Sequence, residues 1–386
     1  MQEASVHDPV ALTRALIRRP SVTPADAGAM DLVQVALQAL GFACRRMRFG
    51  EIENLYARRG EARPNLCFAG HTDVVPVGDA AAWSRGPFEA EVADGMVWGR
   101  GAADMKSAVA AFVGAAAAVL ARGEPPGSIS LLITGDEEGV AENGTKAVVA
   151  ALMDEGEIID HCLVGEPTSS AVFGDMIKNG RRGSIGATVT VEGTQGHVAY
   201  PHRAANPIPV LIGLLSALQG RVLDQGHPGF PASNLEVTTV DVGNPAGNVI
   251  PARASARLNI RFNPAHTGAS LAAWLEAEAK AAGQGFAGRV ILESRVGGEA
   301  FLTPPGAFTA LVVAAVEAVG GVRPELSTTG GTSDARFIRA MCEVVEFGLV
   351  GATMHGVDER APVEEIRRLA AVYERLIDDY FAAFSG

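Results

Sequence analysis

The sequence predicts an α/β protein: a mixed, largely parallel sheet flanked by helices, with an inserted α+β unit. Three observations predict it. Short apolar runs alternate with helix-length segments between Leu66 and Val164, as a parallel sheet requires, because each parallel strand needs a crossover before the next. After Arg182 the texture changes to stretches of alternating apolar and polar residues, the period of half-buried strands. After about Gly297 the first texture returns. The expected organisation is one domain in two parts, 1–182 and 297–386, around an inserted domain at 183–296.

The elements follow in order. Asp8-Pro9 supplies an N-cap and a first-turn proline for a helix carrying Leu12, Ala15 and Leu16 on one face. Thr23 and Asp26 form a weak capping pair for a second helix, which Gly41 stops after Leu40. Strands are expected near Phe42–Met47 and Asn54–Ala57, then through Leu66, Cys67 and Phe68 to Gly70. A small-residue helix covers about Met105–Ala121. Strand Ile129–Ile133, a helix near Lys146–Met153 and strand His161–Val164 complete this part. In the insertion, strands are expected at Ser184–Val191, Leu235–Val242, Ala254–Phe262 and Val290–Glu293, with helices at Pro207–Leu218 and Ser270–Ala281. Helix Ala307–Val319, a shorter helix near Asp334–Ala340, strand Val344–Val350 and helix Val363–Phe384 close the chain.

Composition narrows the function. A formal net charge of -12, with no basic run longer than two arginines, argues against nucleic acid as a partner, since an acidic surface repels phosphate backbones. Four scattered cysteines (Cys44, Cys67, Cys162 and Cys342) form no CxxC pair, so free thiols in a reducing compartment are expected. The opening MQEASVHDPV has neither a basic start nor an apolar core, so no signal peptide is expected. The apolar run Ala108–Leu120 is too short to span a bilayer. A cytoplasmic protein without a membrane anchor is the expectation.

The metal-capable residues fall at strand ends. His71 and Asp73 follow one strand, Asp136, Glu137 and Glu138 another, Glu166 a third, and His355 comes just past a fourth. In an open parallel sheet the C-terminal strand ends share one edge, where ligands bind. His71-Thr72-Asp73 places two side chains on one side of an extended segment, so either both ligate, or Asp73 orients His71. Asp104 reads equally as a ligand or as the N-cap of the helix after it. Glu137-Glu138 is either a solvated pair or a proton carrier beside a ligand. Imidazole with carboxylate suits zinc and related divalent ions better than calcium. No GxSxG, P-loop or HExxH motif offers another chemistry.

Four blocks, Gly70-His71-Thr72-Asp73-Val74-Val75-Pro76, Gly99-Arg100-Gly101 through Lys106, Thr134-Gly135-Asp136-Glu137-Glu138-Gly139 and Gly165-Glu166-Pro167, resemble the M20 family of metallopeptidases and deacylases. A narrower resemblance, to family members that remove a succinyl group, lies in Lys178 through Ser184, Gly196-His197-Val198-Ala199-Tyr200-Pro201-His202, Asn248-Val249-Ile250-Pro251 and Ser327 through Phe337. Ala335 departs from it, where glycine is more usual.

The resemblance implies a zinc-peptidase-like catalytic domain holding two divalent ions per subunit, zinc or alternatively cobalt. Asp104 would bridge them, His71 and Glu166 would complete one site, and Glu138 and His355 the other. Asp73 would support His71, Glu137 would act as general base and acid, and the Asp104-Met105 bond would be cis. His197 would donate to the oxyanion from the other subunit of a homodimer, with the inserted domain as interface and lid. Arg181, Asn248, Arg261, Gly331 and Thr332 would bind the substrate, a small dicarboxylate amide; from the residues alone, Arg261 reads equally as a surface strand residue. The implied reaction is hydrolysis of N-succinyl-LL-diaminopimelate to succinate and LL-diaminopimelate, in lysine and cell-wall precursor synthesis. A deacylase of N-acetylornithine or another N-acyl amino acid, a small-peptide aminopeptidase and a non-catalytic metal- or ligand-binding protein are the alternatives.

Overall fold

The computed structural model describes residues 7–385. Residues 1–6, which carry most of the signal-peptide expectation, lie outside them. The chain divides into two compact units. The first runs to Asn179, resumes for Thr303–Ser327 and continues from Ser333; the second holds Gly180–Leu302 and Thr328–Thr332.

The first unit is built on an eight-stranded sheet. Its spatial order is Ala43–Phe49, Ile52–Arg59, Ser128–Thr134, Asn65–His71, His161–Val164, Glu343–Glu346, Met176–Lys178 and Glu325–Ser327. The central four strands are mutually parallel, with His71 opposite Thr134, Ala69 opposite Val164 and Val164 opposite Glu346. Antiparallel pairs lie toward both edges. Strands Ser128–Thr134 and Asn65–His71 are buried along their whole length, as expected of strands covered on both faces.

Helix Lys106–Leu120 is alanine-rich and buried at most positions. Its small side chains allow close packing, and Phe112 stacks on Phe68 with ring centroids 4.5 Å apart. The C-terminal helix Val363–Phe384 brings Tyr373 against both rings, and the Tyr373 hydroxyl donates to the Phe347 carbonyl at 2.8 Å. A buried tyrosine thereby satisfies its polar end.

Local signals explain most boundaries. Asp8 caps helix Pro9–Ile17 by accepting from Val10 and Ala11. The second helix begins later than its sequence signals indicate, at Ala29. Asp26 accepts from the Gly28 and Met30 N–H groups, and Gly28 occupies the N-cap at φ 82°. The expected strand Val344–Val350 runs as a ladder only over Glu343–Glu346, with Val350 in an isolated bridge to Ser169; between them Gly348 passes so close to the Gly165 and Glu166 carbonyls that a Cβ would lie 2.4 Å from the latter. The short helix after Asp334 keeps only Ala335–Ile338.

The second unit is an α+β layer. Its four-stranded antiparallel sheet runs in the order Asn234–Asp241, Arg253–Phe262, Gly183–Glu192 and Arg289–Gly298. One face is covered by helices Pro207–Gln219 and Gly268–Ala282, which bury Leu211, Leu214, Leu271 and Leu275 against Ile185, Val189, Leu258 and Ile260. The ladder pairing Arg181 with Phe301 also belongs to this unit. No helix among the described residues is long and apolar enough to cross a membrane.

Candidate metal centre

Five segments of the first unit meet beyond the C-terminal edge of its parallel strands. Strand Asn65–His71 delivers His71, and the loop after Thr134 carries Asp136, Glu137 and Glu138. Glu166 follows strand His161–Val164, and His355 lies in the loop after Glu346. Asp104 comes from the turn before helix Lys106–Leu120, where Met105 rather than Asp104 occupies the cap position and makes no side-chain cap bond. The capping alternative for Asp104 is therefore displaced. The Asp104-Met105 peptide bond is cis.

Two groups of ligand-type atoms result, each within 4.8 Å: His71, Asp104 and Glu166, and Asp104, Glu138 and His355. Asp104 belongs to both. His71 Nε2 lies 3.1 Å from Asp104 Oδ1 and 3.8 Å from Glu166 Oε1. On the other side, His355 Nε2 lies 3.3 Å from Asp104 Oδ2 and 2.9 Å from Glu138 Oε1. One carboxylate thus turns an oxygen toward each imidazole. An imidazole and two carboxylates per group is a donor set that fits a divalent transition ion, with the sharing carboxylate placed between two of them.

The surrounding hydrogen bonds fix these side chains. His71 Nδ1 lies 2.8 Å from the backbone carbonyl of Asp73, which orients the ring so that Nε2 faces Asp104. The Asp73 carboxylate lies 3.6 Å from the same ring nitrogen and has a second task. It accepts from the backbone N–H groups of Glu137 and Glu138, at 3.2 and 3.0 Å, and so anchors the loop bearing both acids. Asp136 shapes the same loop from its other end, accepting from Glu142 and Asn143.

Electrostatics follow from this crowding. Burial opposes charge on His71, yet the carboxylates of Asp104, Asp73 and Glu166 hold its pKa well above the usual histidine range. Hydrogen bonds from His355 to Asp104 and Glu138 push His355 up to about 10. Burial would raise Asp104, but its two imidazole partners outweigh it and keep the carboxyl well below the ordinary value. Burial raises Asp73 to about 6. Burial, then the charges of Glu166 and Asp334, raise Glu137 well above the ordinary range.

The remaining candidate residues fall in the second unit. Arg181 is buried and donates from Nη1 to the Gly331 carbonyl at 3.2 Å. Arg261 lies on the sheet face opposite Leu258 and Ile260, across from Ser184 and Asn234. Asn248 is exposed, and its carbonyl accepts from Val198. Gly331 is exposed and Thr332 half-buried. His197 is exposed, and its Nδ1 accepts from the Ala199 N–H at 3.0 Å.

Three residues at the centre carry no assigned role in the sequence. Arg100 and Glu359 form a fully buried ion pair at 2.7 Å beside Asp104. Asp334 is buried close enough to raise Glu137. Arg100 lies in a glycine-flanked block and Glu359 four residues after His355, but only the fold pairs them.

A match to peptidase family M20/M25/M40 spans residues 67–379. The chain is 71% identical over 378 residues to a succinyl-diaminopimelate desuccinylase of Caulobacter vibrioides (strain NA1000 / CB15N), covering 98% of this chain and 97% of that one. It is 56% identical to the enzyme of the same name from Parvibaculum lavamentivorans, over 98% and 97% of the two chains. Among solved structures, the fold is similar to an M20 family metallo-carboxypeptidase from Sulfolobus solfataricus (TM-score 0.82, 17% identity, 97% and 99% of the chains). It is also similar to a dinuclear metal-binding peptidase of the M20 family from Bacillus subtilis (TM-score 0.72, 16% identity, 99% of each chain).

The raised imidazole pKa values predict how cations are held. A cation at either group competes with a proton on His71 or His355, so retention falls as pH falls. Metal content after dialysis against a weak chelator is expected to drop steadily from about pH 8 to about pH 5.5. Equal retention across that range contradicts imidazole ligation.

Proposed function

The chain belongs to peptidase family M20/M25/M40, and from that membership we propose that it hydrolyses the amide bond of N-succinyl-LL-diaminopimelate to succinate and LL-diaminopimelate. The observation that carries this reading is the 69–71% identity, over nearly the whole length, to enzymes named succinyl-diaminopimelate desuccinylase. The paired ligand groups sharing Asp104 supply the chemistry, that of a two-metal amidohydrolase.

Bound in these groups, two divalent ions, zinc by our reading with cobalt as the alternative, would supply Lewis acidity at the amide carbonyl and an acidified water. The protein's own residues do the rest. Glu137 accepts the proton of the attacking water and returns it to the departing amine. Asp73 holds the Glu137 and Glu138 backbone in place, so the proton carrier and a ligand move as one unit.

His197 is assigned the oxyanion donor, acting from the second subunit of a homodimer. Its Nδ1 is occupied by the Ala199 N–H, which leaves the proton on Nε2, free to donate. Arg181, Arg261 and Asn248, with Gly331 and Thr332, are assigned to the substrate carboxylates. Arginine grips a carboxylate through two parallel hydrogen bonds, giving direction as well as attraction. A cytoplasmic location matches a biosynthetic role.

Substrate profiling of the metal-loaded protein tests the function. Turnover of succinyl-diaminopimelate is expected to exceed that of N-acetylornithine and of dipeptides; preference for either rival class overturns the assignment. Mixed dimers test the residue roles. Glu137→Gln chains should keep their cations and lose about 10²–10⁴-fold in turnover. Adding inactive His197→Ala chains should restore part of the activity, because one site of each mixed dimer then has both residues. No restoration contradicts a shared site.

A further inference from the structure

We infer that Arg100 and Glu359 are positioning residues: their buried ion pair sets the backbones of Asp104 and His355, and with them the affinity of both cation sites. The inference rests on the two-cation reading above.

Glu359 is completely buried, and both its oxygens are used. Oε2 accepts from Arg100 Nη1 at 2.7 Å and from the Gly101 N–H at 3.0 Å. Oε1 accepts from the Ala103 and Asp104 N–H groups at 2.9 and 3.1 Å. Four donors converge on one carboxylate, and three belong to the backbone that delivers Asp104. A carboxylate suits this place because it only accepts.

Arg100 extends the same grip to His355. Nη1 also reaches the Gly356 carbonyl at 3.1 Å, while Nη2 reaches the carbonyls of His355 and Pro76 at 3.3 Å. The guanidinium lies over the Trp83 ring, 5.3 Å from its centroid. The segment it holds needs holding: His355 and Asp358 sit at φ 61° and 59°, in the left-handed region that costs free energy for any residue but glycine. Ser84 secures the Asp358 end through the Asp358 carboxylate. Asp104 and His355 come from distant parts of the sequence, and this pair ties one backbone to the other.

Neither residue belongs to the two ligand groups, so a purely structural role is the competing account. Two substitutions separate them. Glu359→Gln preserves shape but turns an amide NH2 toward backbone donors. Arg100→Lys keeps the charge beside Glu359 but lacks the fork that reaches the His355 and Gly356 carbonyls. Cobalt(II) is titrated into each chelator-treated protein and followed by the visible absorption of the bound ion, with thermal unfolding and steady-state kinetics measured in parallel.

E359Q is expected to weaken both cobalt-binding steps about 10–100-fold, and R100K to weaken only one of them by a similar factor. The absorption envelope should change and kcat should fall while KM stays near wild type. Wild-type cobalt affinity and spectrum in both variants, with only the unfolding midpoint lowered, overturns the inference. Should E359Q fail to fold, the R100K titration decides by the same criterion. A wild-type protein that binds fewer than two cobalt ions would sink the two-cation reading itself, which keeps the two failures distinct.

Discussion

The site depends on keeping several carboxylates together in little water. Asp104 shares space within 4.8 Å with Glu138 on one side and Glu166 on the other. Two like charges at that separation repel by about 3.5 kcal/mol at an effective dielectric of 20. Such an arrangement persists only where opposite charge is supplied. The two imidazoles supply part of it by protonation, and two divalent ions supply more, four positive charges against three carboxylates. The same competition between proton and cation gives the centre its sensitivity to pH.

The parallel strands bring the acids together, but a second set of carboxylates arranges the loops. Asp73, Asp136 and Glu359 each accept backbone N–H groups from a segment beyond a strand or before a helix. Each converts a flexible connection into a fixed shape for the side chains that meet at Asp104. Lys106 adds a tether of the opposite sign: fully buried, it donates to the Leu16 and Arg19 carbonyls, and burial lowers its pKa to about 7. Breaking a buried ion pair such as Arg100–Glu359 by removing one partner typically costs about 3–5 kcal/mol, so a rigid site and a stable fold draw on the same contacts.

Periodicity made the long elements legible. The C-terminal helix runs over Val363–Phe384 as its apolar spacing indicates, and strand His161–Val164 matches its apolar run. The four strands and two helices of the insertion show the same agreement, shifted by a few residues. Strands Met176–Lys178 and Glu325–Ser327 carry no signal in the sequence, because three residues cannot establish a period. At the site, the strand-end positions of His71, Glu138 and Glu166 are readable because a parallel sheet gathers its C-terminal ends. The Arg100–Glu359 pair is not, since a contact spanning more than two hundred and fifty residues leaves no local trace. The His71-Thr72-Asp73 spacing makes Asp73 legible as a partner of His71, and its carboxylate does lie 3.6 Å from Nδ1; the Asp73 carbonyl contact to the ring and the carboxylate's hold on the next loop leave no trace in the sequence.

The most direct test is diffraction at the absorption edge of the bound metal, on crystals of the loaded protein. Two anomalous peaks per chain are expected, one beside His71 and Glu166 and one beside Glu138 and His355, with an Asp104 oxygen at each. A single peak, or two peaks that do not share Asp104, would contradict the two-cation centre.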